Sequence, residues 1–181
     1  MKVIVLDRDG VINHDSDAYI KSSEEWNPID GSLEAISRLN HSGYTVVIAS
    51  NQSGLARGHF DIETLSAMHK KMEAMLEKVG GRIDAIFYCP HGPDDACDCR
   101  KPKPGMLLEI GQRFNVPLEE VIFIGDSVSD IKAASNAHAK AILVRTGKGI
   151  KAEKLMLAEC EKKELVPIYD DLAAAVTAIL Q

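Results

Sequence analysis

Five short apolar runs, separated by stretches of helical periodicity, leave this chain few folds to choose from. The first is Lys2-Val3-Ile4-Val5-Leu6, and residues 44–49, 83–88, 121–124 and 141–144 supply the others. Runs this short and continuous read as strands buried on both faces. Between them Leu33, Ile36 and Leu39 recur at helical spacing. So do Ile62, Leu65, Met68, Met72, Met75, Leu76 and Val79. The second stripe is expected to be a core face, with Met filling irregular gaps. Pro104 suits the start of a third helix that reaches Phe114. A last helix is expected over about 170–180. Strands that alternate with helices make an α/β fold: a doubly wound, Rossmann-like parallel sheet with helices on both faces. At 181 residues, 45% of them hydrophobic, the chain suits one domain over residues 1–181.

The chemistry clusters where these strands end. Leu6 is followed by Asp7-Arg8-Asp9-Gly10, and open α/β sheets bind ligands outside the carboxyl ends of their strands. Two carboxylates one residue apart repel unless a cation or a proton lies between them. The pair reads as a metal site, as a nucleophile beside a general acid, or as a solvated turn. After the second run comes Ser50-Asn51-Gln52-Ser53-Gly54, either a turn whose N–H groups face an anion or a helix cap. After the fourth comes Gly125-Asp126-Ser127-Val128-Ser129-Asp130. Asp130, one helical turn beyond Asp126, can face the same side. Here too a cap is the alternative. The segment Arg100-Lys101-Pro102-Lys103-Pro104 offers cations in a Pro-stiffened loop. Such a loop suits a phosphoryl group, whose transfer depends on charge stabilisation and positioning, or it is a solvated basic turn.

A net charge of −6 argues against nucleic acid as the main partner. No apolar run approaches the roughly 20 residues of a membrane span, and the first residues lack the layout of a signal peptide. A cytoplasmic protein is expected. In a reducing compartment Cys89-Pro90-His91 and Cys97-Asp98-Cys99 read as the four ligands of a structural zinc rather than as disulfides. Such a closed site would stiffen the loop over residues 89–103, which delivers Arg100 and Lys101. Cys160 stands alone and is read as packing or surface.

The Asp-x-Asp-Gly at 7–10, the hydroxyl at 50, the lysine at 101 and Gly-Asp-x-x-x-Asp at 125–130 follow one another along the whole chain. This ordered set resembles the haloacid dehalogenase (HAD) superfamily of phosphohydrolases. The resemblance implies that Asp7 attacks phosphorus and that Asp9 serves as acid and then base. It also implies Mg²⁺ held by Asp7, the Asp9 carbonyl and Asp126, with Ser50 and Lys101 on the phosphoryl oxygens and Asp130 supporting the metal from behind. Lys101 is preferred to Lys103 because the family pattern is Arg-Lys-Pro-x-Pro-Gly-Met.

With Asn-Gln-Ser-Gly and Cys-Pro-His added, the chain looks like the heptose bisphosphate phosphatases, which make a precursor of lipopolysaccharide. Histidinol-phosphate phosphatase domains, with a related zinc loop, are similar and remain an alternative. A non-catalytic phosphate-binding module is another. The resemblance implies that Asn51, Arg100 and the loop from Asp15 to Tyr19 meet a small sugar bisphosphate. Ser50 departs from the Thr common in the family, and Ser127 from the Lys of some relatives. Only about twenty residues separate Gly10 from the next helix, too few for an independently folded cap domain. An open site edged by residues 11–28 and 89–103 is therefore expected, in a monomer. His14, Asp15, Asp17 and Tyr19 are polar candidates for the sugar. Trp26 is read as core rather than as a sugar platform.

Overall fold

The computed structural model describes residues 1–159 and 166–181, so Cys160 lies outside the described residues. Six strands form one parallel sheet: β1 Lys2–Leu6, β2 Tyr44–Asn51, β3 Ala85–Cys89, β4 Ile122–Gly125, β5 Lys140–Val144 and β6 Ile168–Tyr169. Their order is β3-β2-β1-β4-β5-β6. The chain winds outward from β1 to β3, returns to β4 beside β1, and winds outward the other way. The reversal leaves a crevice between the carboxyl ends of β1 and β4, the usual ligand site of such sheets.

Strand alternation divides the core. Ile4 and Leu6 face one layer, with Val46, Ile48 and Ile124; Val3 and Val5 face the other, with Val47 and Phe123. The first layer is covered by α1 Ser32–His41, α2 Ile62–Lys78 and α6 Leu172–Ile179. The second is covered by α3 Gly105–Phe114, α4 Val128–Asn136 and α5 Gly149–Glu159. Asp61 caps α2 by accepting from the Thr64 N–H at 2.8 Å. Asp171 caps α6 in the same way through Ala174. Each cap satisfies a donor that the first turn leaves open.

The expected elements are present with shifted ends. Of the predicted α2 stripe, Leu65, Met68, Met72 and Leu76 are buried, but Ile62 is exposed. It stands in the first turn of the helix. Pro104 is the residue before α3 rather than its first member. Two elements were not foreseen. β6 is only two residues long, and α5 leaves Ile150, Leu155 and Leu157 exposed, so neither carries a periodic signal. β2 runs on to Asn51, which places Ser50 and Asn51 inside a strand opposite Tyr88 and Cys89 of β3 rather than in the turn beyond.

Residues 11–31 contain no helix or strand, only isolated bridges at Asn13. Trp26 anchors this segment and is wholly buried in the first layer. The Lys71 ammonium of α2 donates to the carbonyls of Ser23 and Trp26 at 2.7 and 2.6 Å. The Trp26 ring N–H finds no hydrogen-bond partner among the described residues, so the ring serves by volume. Trp26→Ala should therefore cost about 3–5 kcal/mol and Trp26→Phe only a small part of that. Urea unfolding followed by circular dichroism checks both.

Candidate active site

The register of β1 with β4 sets Asp7 just past one strand end and Asp126 just past its neighbour. Gly10 and Gly147 let the loops close over them. Both have positive φ, +86° and +56°, and a Cβ on either would run into the Asp126 carboxylate. An L side chain at either position would be strained on both counts,. Carboxylate oxygens of Asp7, Asp126 and Asp130 lie within 4.8 Å of one another.

One cation holds this group together. The Lys101 ammonium lies 3.0 Å from Asp7 Oδ1 and 2.6 Å from Asp130 Oδ1, and it donates to the Ala49 carbonyl at 2.9 Å. Lys101 is only 5% exposed. Burial opposes its charge, but Asp130 and Asp7 prevail and hold its pKa above the ordinary lysine value. The other oxygen of Asp130 accepts from the N–H groups of Asp126 and Ser127 and from the Ser127 hydroxyl. Asp130 thus supports the turn that aims Asp126, and it closes a capping box on α4,.

Asp9 has a different environment. Arg8 grips its carboxylate with Nε and Nη2 at 2.9–3.1 Å, while Asn13 donates to Oδ1 at 2.8 Å and Gln52 to Oδ2 at 2.9 Å. Gln52 also donates to the Ser50 hydroxyl at 2.8 Å. Burial pushes the Asp9 carboxyl up, but the Arg8 charge and these hydrogen bonds outweigh it and leave its pKa below the usual value. Asp7 and Asp126 go the other way. Burial and then neighbouring carboxylates raise Asp126 to about 8. Burial raises Asp7 to about 7, with Asp130 and Asp9 adding to it and Lys101 opposing.

Beside this group the thiols of Cys89, Cys97 and Cys99 converge with His91 Nδ1. Cys89 Sγ is 3.1 Å from Cys99 Sγ, 3.8 Å from Cys97 Sγ and 3.5 Å from the imidazole nitrogen. All four donors lie within 4.8 Å of one another. A tetrahedral zinc with bonds of about 2.3 Å places its sulfurs about 3.8 Å apart, so the donor set fits that ion in kind, the Cys89–Cys97 spacing matches it, and the 3.1 Å between Cys89 and Cys99 is shorter than a bound zinc would set. The thiols are unbridged, and burial and the neighbouring thiol of Cys99 push Cys89 up to about 12. Arg100 donates to the His91 carbonyl at 3.2 Å and Lys103 to that of Cys97. Lys103 is thereby used within the loop, leaving Lys101 as the lysine that reaches the carboxylates.

A model described as HAD-hydrolase-like matches residues 98–175. The D-glycero-beta-D-manno-heptose-1,7-bisphosphate 7-phosphatase of Pseudomonas aeruginosa is 50% identical over 179 residues, 99% of this chain and 98% of its own. Its namesake from Bordetella bronchiseptica is 52% identical over 181 residues, 100% of this chain and 99% of its own. The crystal structure of D,D-heptose 1,7-bisphosphate phosphatase from B. bronchiseptica, complexed with magnesium and phosphate, superposes with a TM-score of 0.94, covering 100% of this chain and 99% of that one. The chain belongs to the HAD-like phosphatases.

Of the predicted site residues, Asp7, Asp9, Asp15, Tyr19, Ser50, Asn51, Arg100, Lys101, Asp126 and Asp130 line one cavity of about 350 Å³. Two of them have work besides substrate contact. The Asn51 amide exchanges two 3.1 Å hydrogen bonds with the Lys101 backbone, and Asp15 pairs with Lys148 at 3.1 Å. Tyr19, at a φ of 66°, lays its ring against His59 with centroids 4.6 Å apart. Asp17 also lines the cavity, whereas His14 is exposed and does not.

The sequence reading missed Arg8, Asn13, Gln52 and Arg57, and the loop after β5. There Thr146 donates to the Gly10 carbonyl, and the Lys148 N–H donates to Asp126 Oδ2 at 2.8 Å. That loop leaves the carboxyl end of a strand, so the rule that found the others applied to it as well. Arg8 occupies the variable position of Asp-x-Asp-Gly and carried no signal.

The site core sets four carboxylates, Asp7, Asp9, Asp126 and Asp130, against the two cations Arg8 and Lys101. A divalent cation fits that imbalance, and hard oxygen donors suit Mg²⁺. With Asp7 and Asp126 raised, the folded state binds more protons than the unfolded one between the ordinary value of 3.8 and about 8. Stability of the metal-free protein should therefore fall as pH rises through that window. Added Mg²⁺ should raise the melting temperature more at pH 8 than at pH 5, as scanning fluorimetry in Mg²⁺-free and Mg²⁺ buffers would register.

Proposed function

We propose that the chain is a Mg²⁺-dependent phosphomonoester hydrolase that removes the 7-phosphate of D-glycero-D-manno-heptose 1,7-bisphosphate. The observation that carries this reading is the Asp7 carboxylate, held by Lys101 beside Asp126 at the sheet's switch point. The identities of the relatives support the choice of sugar. The enzyme works in the cytoplasm as one domain, a monomer, on a lipopolysaccharide precursor.

An Asp7 oxygen attacks phosphorus, forming an aspartyl-phosphate as the bond to the sugar oxygen breaks. Asp9, which Arg8, Asn13 and Gln52 hold as a carboxylate in the free protein, gains a proton from the bound phosphate monoanion or from water and passes it to the leaving oxygen. Asp9 then accepts a proton from water, whose oxygen attacks phosphorus and frees Asp7 and inorganic phosphate. Mg²⁺ bound by Asp7, Asp126 and the Asp9 carbonyl supplies neutralising charge and polarises the phosphoryl oxygens. Ser50 accepts from Gln52, so its own hydrogen is free for a phosphoryl oxygen. In the free protein the Lys101 ammonium donates to the Ala49 carbonyl and is ion-paired with Asp7 and Asp130. Esterification removes the Asp7 charge, and the donor aimed at Asp7 passes to the phosphoryl group. The open edge between residues 11–28 and the zinc loop admits the sugar, with Asp15, Tyr19, Asn51 and Arg100 as its contacts.

A phosphate-release panel of heptose 1,7-bisphosphate, fructose 1,6-bisphosphate and histidinol phosphate tests the substrate. The heptose should give the highest kcat/KM, and a preference for histidinol phosphate rejects this reading. Asp7→Asn should lower kcat by about 10³-fold or more with an unchanged circular dichroism spectrum. No turnover of any phosphate by the wild-type chain, with or without Mg²⁺, would leave a binding module.

Zinc held by Cys89, His91, Cys97 and Cys99 is structural in this proposal, because a four-ligand site has no open position. Protein purified without chelator should carry about one zinc per chain by elemental analysis. Cys97→Ser should lower that content, and kcat/KM should fall with it as Arg100 and Lys101 lose their support.

A further inference from the structure

Arg8 is a large cation with almost no access to solvent, 1% exposed, placed between the two reacting carboxylates in sequence. Burying a guanidinium is costly unless its donors are met. Its fork meets a single carboxylate, that of Asp9, through Nε and Nη2. Its remaining terminal nitrogen, Nη1, lies 3.4 Å from His69 Nε2 and 3.8 Å from Met68 Sδ on α2. Burial and the Arg8 charge hold His69 neutral, with its pKa down to about 4, so the ring can accept there. Asn13 and Gln52 approach Asp9 from two further segments. Its side chain is left 21% exposed, on the cavity it lines.

We infer that Arg8, backed by His69 on α2, is a positioning residue that fixes the Asp9 carboxyl group for proton transfer to the leaving oxygen. The inference rests on the reading of Asp9 as general acid. A planar fork with two donors on one carboxylate sets its plane as well as its distance. Asn13 or Gln52 alone, with one bond each, would set only distance. Arg8 borders the cavity, but it is 1% exposed and its fork is spent on Asp9, so it acts through that side chain.

Leaving-group dependence separates positioning from a merely structural role. A sugar alkoxide needs a proton to depart; p-nitrophenolate does not. The quantity to compare is kcat/KM, which reports only the steps through departure of that group. In Mg²⁺ buffer, Arg8→Met should lower kcat/KM for the heptose bisphosphate by about 10²-fold and for p-nitrophenyl phosphate by less than about threefold. Arg8→Lys keeps a buried cation without the fork. It should show the same split at smaller size, which covers the case in which Arg8→Met fails to fold. Asp9→Asn is the control and should show the split in full. Adding Arg8→Met or Arg8→Lys to Asp9→Asn should then cost little more, because the group being positioned is gone. Equal losses on both substrates, or an unchanged or higher kcat/KM, overturn the inference while Asp9→Asn still splits. If Asp9→Asn itself shows no split, the general-acid reading fails and this inference fails with it.

Discussion

The buried ammonium of Lys101 is the contact on which the site depends. It joins the end of β1 through Asp7, the start of α4 through Asp130 and the end of β2 through the Ala49 carbonyl. Two carboxylates pair with its charge and a carbonyl accepts from it, which lets an ammonium be buried at tolerable cost. Without it, Asp7 and Asp130 would face each other across a few ångströms with little water between them. The carboxylates could not stay ionised together, and the crevice at the switch point would hold neutral acids or spread apart.

Lys101 itself lies on a loop with no regular structure, so something must hold that loop. Two attachments do so. Asn51 ties the Lys101 backbone to β2, and the Cys/His cluster ties the preceding residues to the end of β3. The register that pairs Asn51 with Cys89 makes these one support rather than two. The extra strand residues beyond Ala49 are what create it. A metal in the cluster would stiffen the same loop at its other side. The phosphoryl grip is in this way referred back to the sheet, even though its lysine is not on it.

The strands near the centre were legible because a parallel sheet buries both faces, so β1, β2, β4 and β5 appear as unbroken apolar runs. β6 was not, since two residues at a sheet edge make no pattern. The carboxylates and the zinc ligands were legible because their chemistry demands particular residue types at strand ends. The supports were harder to read. Asn13 and Gln52 each supply a single donor that several residue types could supply, and that they and Arg8 converge on Asp9 is settled only by folding. The Asn51 amide was read as a substrate contact, and its bonds to the Lys101 backbone are set by a strand register that composition does not show. Ile62 fits the helical stripe by spacing but is exposed in the first turn of α2; periodicity reports which side of a helix is apolar, not which of its turns is covered.

The chain carries a net charge of −6, yet its proposed substrate is a multiply charged anion. The two are reconciled by where the charges lie. Asp9 is engaged by Arg8, and Asp7 and Asp130 by Lys101, and the rim of the cavity sets Arg57, Arg100 and Lys148 beside Asp15 and Asp17. Arg100 is steadied by the His91 carbonyl and Lys148 by Asp15, so neither has to be ordered wholly at substrate expense. A cleft lined by fixed cations focuses potential locally whatever the total charge of the protein. The lining still holds six carboxylates against five cations, so the divalent cation that the inner acids would bind is what turns the cleft favourable to a small phosphate ester.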